Sequence, residues 1–234
     1  EEQTLGLSQY DSSGRLSFPR LIQIGDGEPL VCEAVDLDGD GFDELALVNE
    51  TKEGMHLVVA KPAQREKFSS EWQIVLQMEL KGARRKPTSI RALDIFGERG
   101  AGLMLFVPRE APVLLAPKLE GTAYDLELVG ERSSVRESLL KDISPAQVSV
   151  IDVDDDGVNE LVAARTGFAR AIRFRDGNLE MVDQFNARRS GDVVAAVIPS
   201  LDTDGLLQGL VLYVPKEGEL QFLIRDDDGV LRYR

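Results

Sequence analysis

Two ten-residue stretches of the sequence carry carboxylates at the same four positions and a glycine at position 6. Residues 36–45 read Asp-Leu-Asp-Gly-Asp-Gly-Phe-Asp-Glu-Leu, and residues 152–161 read Asp-Val-Asp-Asp-Asp-Gly-Val-Asn-Glu-Leu. If such a stretch folds back on itself, the side chains at positions 1, 3, 5 and 9 converge as a cage of oxygens. Hard divalent cations prefer roughly six to eight oxygen ligands, so the chemistry predicted for both stretches is Ca²⁺ binding.

We name residues 36–45 the first acidic loop and residues 152–161 the second acidic loop. The carboxylates that would face a cation are Asp36, Asp38, Asp40, Glu44, Asp152, Asp154, Asp156 and Glu160. A glycine at position 6 permits the sharp turn that other residues resist. The simplest role for the ion is structural, because without it four crowded carboxylates would repel one another and loosen the loop.

An EF-hand or dockerin loop also opens with Asp-x-Asp-x-Asp-Gly. The EF-hand needs a glutamate at position 12 and a helix on each side. Position 12 is Leu47 in the first copy and Ala163 in the second, and both flanks are rich in β-branched residues. The EF-hand interpretation is therefore rejected.

The composition is that of an ordinary globular protein of one large domain or two small ones, with 234 residues, 43% hydrophobic and 29% charged. A net charge of −14 argues against a nucleic-acid partner, because phosphate binding needs clustered lysine and arginine. No apolar run approaches the ~20 residues of a membrane span. Residues 1–4 lack the basic and apolar regions of a signal peptide, so we expect a mature, trimmed or cytoplasmic chain. Cys32, the sole cysteine, has apolar neighbours that predict a small buried core residue.

Short apolar runs rich in β-branched residues alternate with turn residues along the chain, which predicts an all-β protein. A leading hairpin is expected over 5–24, followed by four rounds of four strands over about 30–80, 89–130, 146–186 and 192–234. Middle runs such as 103–107 are apolar at every position, as when both faces of a sheet are covered. The pattern predicts a single β-propeller domain of about four and a half four-stranded blades.

One short helix is predicted over about 134–143, as an insertion between two rounds. Ser134 and Glu137 have the spacing of a capping box. The apolar stripe that would face the protein is Val135, Leu139, Leu140 and Ile143.

The Asp-x-Asp-x-Asp-Gly-x-x-Glu-Leu loop between two strands resembles the FG-GAP/VCBS repeat, the calcium-loop blade of integrin-α-like β-propellers. The resemblance implies direct Ca²⁺ ligands at the four carboxylates of each copy, with the backbone carbonyls of Phe42 and Val158 as further ligands. It also implies a secreted, periplasmic or cell-surface protein of bacterial type. Because propellers usually close a whole number of blades, the strand count leaves three alternatives: a piece of a longer chain, for example of a seven-bladed propeller, a closed propeller with an odd seam, or an open stack completed by a partner subunit.

The other two loops depart from the motif. Positions 1, 3, 5 and 9 of the Asp94 loop (residues 94–103) hold Asp94, Phe96, Glu98 and Gly102, so two ligands are lost. Around Asp202 the spacing to the next strand is off by one residue. We therefore expect two Ca²⁺ sites, with the loops at Asp94 and Asp202 empty or weak.

Two classes of function remain open. The preferred one is a non-enzymatic calcium-binding propeller that acts as an interaction scaffold for a protein or a polysaccharide. The alternative is a carbohydrate-active enzyme (a lyase or hydrolase) or a lectin on the same scaffold, with Trp72, Tyr124 and Phe168 stacking on sugars. The sequence shows neither a Ser-His-Asp set nor a nucleotide loop or zinc cluster, which favours the first class.

A basic run stands out on this acidic chain, formed by Lys81, Arg84, Arg85 and Lys86. It is either a solvated loop between blades or a docking site for an acidic partner or polysaccharide.

Overall fold

A computed structural model describes residues 4–63, 71–81, 83–129, 134–154, 156–188, 195–197, 209–216 and 218–233. The described part of the chain is all-β as predicted, with one two-stranded hairpin and four four-stranded antiparallel sheets. Its described residues also include one α-helix and two short 3-10 helices. No helix among them is long and apolar enough to cross a membrane.

The strands follow the apolar runs of the sequence. The hairpin pairs β1 (Leu5–Leu7) with β2 (Arg20–Ile22). Sheet 1 contains β3 (Glu28–Val35), β4 (Glu44–Thr51), β5 (Gly54–Pro62) and β6 (Trp72–Glu79). Sheet 2 contains β7 (Ser89–Leu93), β8 (Gly102–Phe106), β9 (Val113–Pro117) and β10 (Leu126–Val129). Sheet 3 contains β11 (Val148–Ile151), β12 (Glu160–Arg165), β13 (Phe168–Arg175) and β14 (Asn178–Asn186). Sheet 4 contains β15 (Ala195–Val197), β16 (Gly209–Val214), β17 (Glu219–Arg225) and β18 (Leu231–Tyr233).

Every sheet pairs its strands in chain order, so each predicted round of four strands folds as one meander. The leading hairpin also forms, but its paired strands are shorter than the apolar runs suggest. Only residues 5–7 and 20–22 pair, and an isolated bridge between Tyr10 and Leu16 closes the turn between them.

The middle strands bury both faces, which explains their unbroken apolar runs. On β12, Leu161 and Ala163 belong to the apolar layer shared with sheet 2. The alternate residues Val162 and Ala164 belong to the layer shared with sheet 4. A third layer joins sheets 1 and 2, so the four sheets pack face to face in chain order. The hairpin covers the outer face of sheet 1, where Ile22 and Ile24 pack among its buried residues.

The predicted helix is present as α1 (Ser134–Leu140) and is shorter than the range 134–143. Leu139, Leu140 and Ile143 are buried in the layer between sheets 2 and 3, as predicted, whereas the side chain of Val135 lies outside the described part. Arg165 of β12 donates to the carbonyl oxygens of Leu139 and Lys141, and so satisfies the end of the helix. Burial lowers the pKa of this guanidinium.

The prediction that Cys32 is a buried core residue is wrong: its side chain is exposed. Cys32 lies on the edge strand β3, opposite Leu47. The short hairpin covers Leu47 but does not extend over Cys32. Partial burial and the Glu33 carboxylate raise the pKa of its thiol, which disfavours the reactive thiolate.

Candidate metal sites

Both acidic loops connect the first strand of a sheet to the second. Strand pairing joins Val35 to Glu44 at the base of the first loop and Ile151 to Glu160 at the base of the second. The residues between them must therefore reverse the chain within one strand spacing. In the first loop Gly39 and Gly41 adopt φ of 71° and 84°, the left-handed conformation that glycine accepts without a side-chain clash.

In their described residues the two loops share two amide-to-aspartate hydrogen bonds at the same positions. The position 6 amide donates to the position 1 carboxylate, at 2.8 Å from Gly41 to Asp36 and 2.9 Å from Gly157 to Asp152. The position 7 amide donates to the position 5 carboxylate, at 3.0 Å in the first loop and 2.9 Å in the second. These bonds orient the carboxylates before any ion binds. The carbonyls of Phe42 and Val158 remain predicted ligands.

The glutamate at position 9 closes the base of each loop. Glu44 and Glu160 are 2% and 0% exposed, and each accepts a 2.9 Å hydrogen bond from the amide at position 2, Leu37 or Val153. Burial raises the pKa of both carboxyls, although the amide hydrogen bond opposes the change. One oxygen of each predicted ligand is thus engaged by the loop backbone.

In the first acidic loop the structure brings three predicted ligands together. Carboxylate oxygens of Asp36, Asp38 and Asp40 lie within 4.8 Å of one another. Two oxygens that bind one Ca²⁺ at about 2.3–2.6 Å can be at most about 5.2 Å apart. The spacing of the three side chains is therefore compatible with one shared cation, whereas Glu44, at the base of the loop, is not among the three.

Tyr124, in the turn before β10 of sheet 2, lies against the first acidic loop, a contact that sequence reasoning missed. Its hydroxyl is 2.5 Å from Asp38 Oδ2 and 3.1 Å from Glu44 Oε1. Burial and these two carboxylates raise the pKa of the phenol strongly, so it remains a hydrogen-bond donor. Lys61 Nζ lies 5.6 Å from the centre of the tyrosine ring, on its face. Tyr124 therefore links sheet 2 to a predicted metal ligand.

In the second acidic loop oxygens of Asp152, Asp154 and Glu160 lie within 4.8 Å of one another. The guanidinium of Arg173, on β13, lies among the same side chains. Nε is 2.7 Å from Glu160 Oε1, Nη2 is 2.7 Å from Asp154 Oδ2, and Nη1 is 3.1 Å from Asp156 Oδ2. The arginine side chain is only 12% exposed. Burial lowers the pKa of this guanidinium, but the bonds to Glu160 and Asp154 outweigh it and raise the pKa.

The Asp94 loop is filled by an aromatic ring instead of carboxylates. Phe96 at position 3 is 5% exposed, and its ring meets Phe174 of sheet 3 edge-on at 4.9 Å between centroids. A side chain at Gly102, position 9, would collide with the Phe96 ring and with the Leu115 carbonyl. The predicted loop at Asp202 lies outside the described residues.

Each described loop is contacted by the sheet that follows it. Tyr124 reaches the first acidic loop, Asn159 donates to Asp94 at 3.2 Å, and Arg225 donates to the Val153 carbonyl at 2.8 Å. The loops therefore lie at the boundaries between sheets. Whatever braces a loop also braces the packing of two sheets.

The aromatic residues considered for sugar stacking lie in separate places. Trp72 packs in the layer under the hairpin, Tyr124 lies against the first acidic loop, and Phe168 is covered by the Arg170 guanidinium at 4.4 Å from its ring centre. Trp72 begins a strand of sheet 1, Phe168 begins a strand of sheet 3, and Tyr124 lies in the turn before β10, so the structure does not gather them into one sugar-binding surface.

The basic run is partly neutralised by glutamates. Lys81 is 3.7 Å from Glu79, Arg85 is 3.7 Å from Glu110, and Lys86 pairs with Glu50. This arrangement favours a solvated loop over a docking site for an acidic partner.

Charge reversal of the basic run tests that interpretation. Because exposed ion pairs contribute little, Arg84→Glu with Arg85→Glu is expected to change the free energy of unfolding by less than about 1 kcal/mol and to leave Ca²⁺ affinity unchanged. Urea unfolding and calorimetric titration measure both. A much larger loss of stability would show that these side chains carry structural contacts beyond the ion pairs.

No family model matches this chain, and no curated protein matches it. Among solved structures the chain is similar to the one described as "Crystal structure of BBS1N in complex with ARL6DN, soaked with lead", with a TM-score of 0.40 and 13% sequence identity. The match covers 90% of this chain and 56% of that chain. This chain thus spans little more than half the length of the protein it matches.

Proposed function

We propose that this chain is a non-enzymatic, propeller-type scaffold of the FG-GAP/VCBS kind, whose first acidic loop binds Ca²⁺ as a structural brace. The observation that carries the proposal is the convergence of Asp36, Asp38 and Asp40 within 4.8 Å in a loop whose own amides orient them. The proposal covers the first acidic loop, because a guanidinium already lies in the second.

The arrangement of the sheets supports the propeller. Four-stranded meanders packed face to face around an axis are the blades of that architecture. The first strands of neighbouring sheets lie together, β3 beside β7 and β11 beside β15, as they would near a shared axis. Further blades, from a longer chain or from a partner subunit, would complete the ring.

The position of the first acidic loop explains what the ion would do. The loop meets Tyr124 in the turn that leads into β10, so an ion that fixes Asp38 also fixes a contact with the next sheet. Ca²⁺ would offset the repulsion among the three aspartates. Calcium loops in extracellular modules bind Ca²⁺ only weakly. Because Ca²⁺ is millimolar outside cells, such weak binding suits a secreted, periplasmic or cell-surface protein.

Ca²⁺ is expected to stabilise the protein, and Asp38→Asn to remove about half of the effect or more. At free Ca²⁺ one hundred times its Kd, binding contributes about 2.7 kcal/mol, or roughly 5–10 °C in Tm for a chain of this size. Asp38→Asn should weaken binding at least about tenfold, since it removes a charged ligand. Differential scanning calorimetry with Ca²⁺ or EGTA measures the shift.

The matched control is Asp43→Asn, which removes the same charge from an exposed position of the same loop outside the cage. It should retain the Ca²⁺ response. If the wild-type melt is the same in Ca²⁺ and EGTA, or if Asp43→Asn behaves like Asp38→Asn, the site assignment is wrong.

The partner is a protein or a polysaccharide, and the enzyme class stays the alternative. A glycan array with a polysaccharide-cleavage screen separates them, and we expect no cleavage. Cleavage would support the enzyme, glycan binding alone the lectin, and neither result a protein scaffold.

A further inference from the structure

The two acidic loops share amide-to-carboxylate hydrogen bonds but differ in the cationic side chain that lies beside them. In the second acidic loop the chain supplies its own cation, Arg173, which contacts three of the four carboxylates that the motif provides. A Ca²⁺ held by Asp152, Asp154 and Glu160 would have to take two of these residues from the guanidinium. The ion and the guanidinium would then repel each other in a place where Glu160 is fully buried.

We propose that Arg173 takes the place of Ca²⁺ in the second acidic loop, which is therefore braced without metal. The planar guanidinium presents several N–H donors in a fixed fork and meets three carboxylates at once. With its side chain only 12% exposed, Arg173 makes these contacts largely shielded from solvent. The loop keeps the geometry that the calcium motif predicts, and the guanidinium stands in the place of the ion.

Strand register shows which residue makes the difference. Leu161 pairs with Ile172, and Leu45 pairs with Ala60. One residue further along, Arg173 lies opposite Glu160 and Lys61 lies opposite Glu44. Lys61 is the counterpart of Arg173 in sheet 1, but its ammonium lies on the Tyr124 ring. The residue at this one position of the third strand thus decides whether the loop takes an ion or a guanidinium.

The consequence is that calcium acts on one end of the domain. The boundary between sheets 1 and 2, where Tyr124 meets the first acidic loop, depends on Ca²⁺. The boundary between sheets 3 and 4, where Arg225 meets the second acidic loop, does not. This part of the inference rests on the proposed function of the first acidic loop, whereas the role of Arg173 does not.

Counting bound Ca²⁺ tests the proposal. Equilibrium dialysis across a Ca²⁺ titration is expected to give one site of the wild-type affinity per wild-type chain, none of that affinity for Asp38→Asn, two sites for Arg173→Gln, and one for the Asp38→Asn, Arg173→Gln double variant. Two ions in the wild-type chain, with one left in Asp38→Asn, would overturn the role of Arg173 and leave the first site intact. No ion in the wild type but one in Arg173→Gln would overturn the first site and support Arg173.

The reciprocal substitution keeps the test decisive if Arg173→Gln fails to fold. Lys61→Arg places a guanidinium opposite Glu44 and is expected to lower the Ca²⁺ affinity of the first acidic loop at least tenfold. Lys61→Gln, which adds no guanidinium, is the control and should bind at least as tightly as the wild type. If Lys61→Arg binds Ca²⁺ as the wild type does, the position does not decide between ion and guanidinium, and the proposal fails.

Discussion

Gly102→Glu, which restores one of the two carboxylates that the Asp94 loop lacks, is expected to destabilise the protein strongly and not to create a metal site. The new side chain would start inside the space of the Phe96 ring and against the Leu115 carbonyl. Overpacking a core costs about 1–3 kcal/mol, and burying a carboxylate without a partner adds further cost. We expect a loss of more than about 3 kcal/mol in urea unfolding, with no gain in bound Ca²⁺.

Two comparison variants separate the collision from the charge. Gly102→Ala keeps the collision without the charge and should lose about 1–3 kcal/mol. Gly39→Ala, where a side chain would meet open space at φ 71°, should lose only about 1 kcal/mol from backbone strain. A stable Gly102→Glu protein that binds an additional Ca²⁺ would show that the phenylalanine moves aside and that the loop is an eroded metal site.

The sequence predicted most of the fold because local patterns determine it. Runs such as Leu103–Phe106 are apolar at every position, and the structure buries both of their faces. Turn residues between the runs set four meanders of four strands in the predicted order. The hairpin strands are shorter than predicted and Cys32 is exposed, because both features depend on how far the hairpin extends over sheet 1.

The contacts that complete the loops were not predicted, since they join residues far apart in the chain. Tyr124 lies 86 residues from Asp38, and no local pattern connects them. In the loop motif Phe96 is only a missing ligand, whereas in the structure its ring packs against Phe174 of the next sheet.

The sequence identifies Arg173 as the partner of Glu160 only if the hairpin register is known. Counting outward from the turn between Arg165 and Phe168 places Arg173 opposite Glu160. That count needs the hairpin register, which the apolar pattern leaves uncertain by a residue or two.

Glu160→Ala is expected to destabilise the protein by about 3–5 kcal/mol, because it leaves the Arg173 guanidinium largely buried with its best partner gone. The substitution also removes the acceptor of the Val153 amide. Such a loss is a large part of the roughly 5–15 kcal/mol that holds a domain folded. Urea unfolding in EGTA measures it without interference from bound metal.

Glu44→Ala is the matched control, because Glu44 accepts the same amide bond but has Tyr124, not a guanidinium, beside it. It should lose only about 1–3 kcal/mol, the cost of an unsatisfied buried amide. Adding Arg173→Leu to Glu160→Ala removes the largely buried charge that has lost its Glu160 partner and should restore part of the lost stability. Equal losses for the two glutamates, or a double variant no more stable than Glu160→Ala, would mean that the guanidinium does not brace the second acidic loop. The second acidic loop would then have to be held by something other than the Arg173 guanidinium.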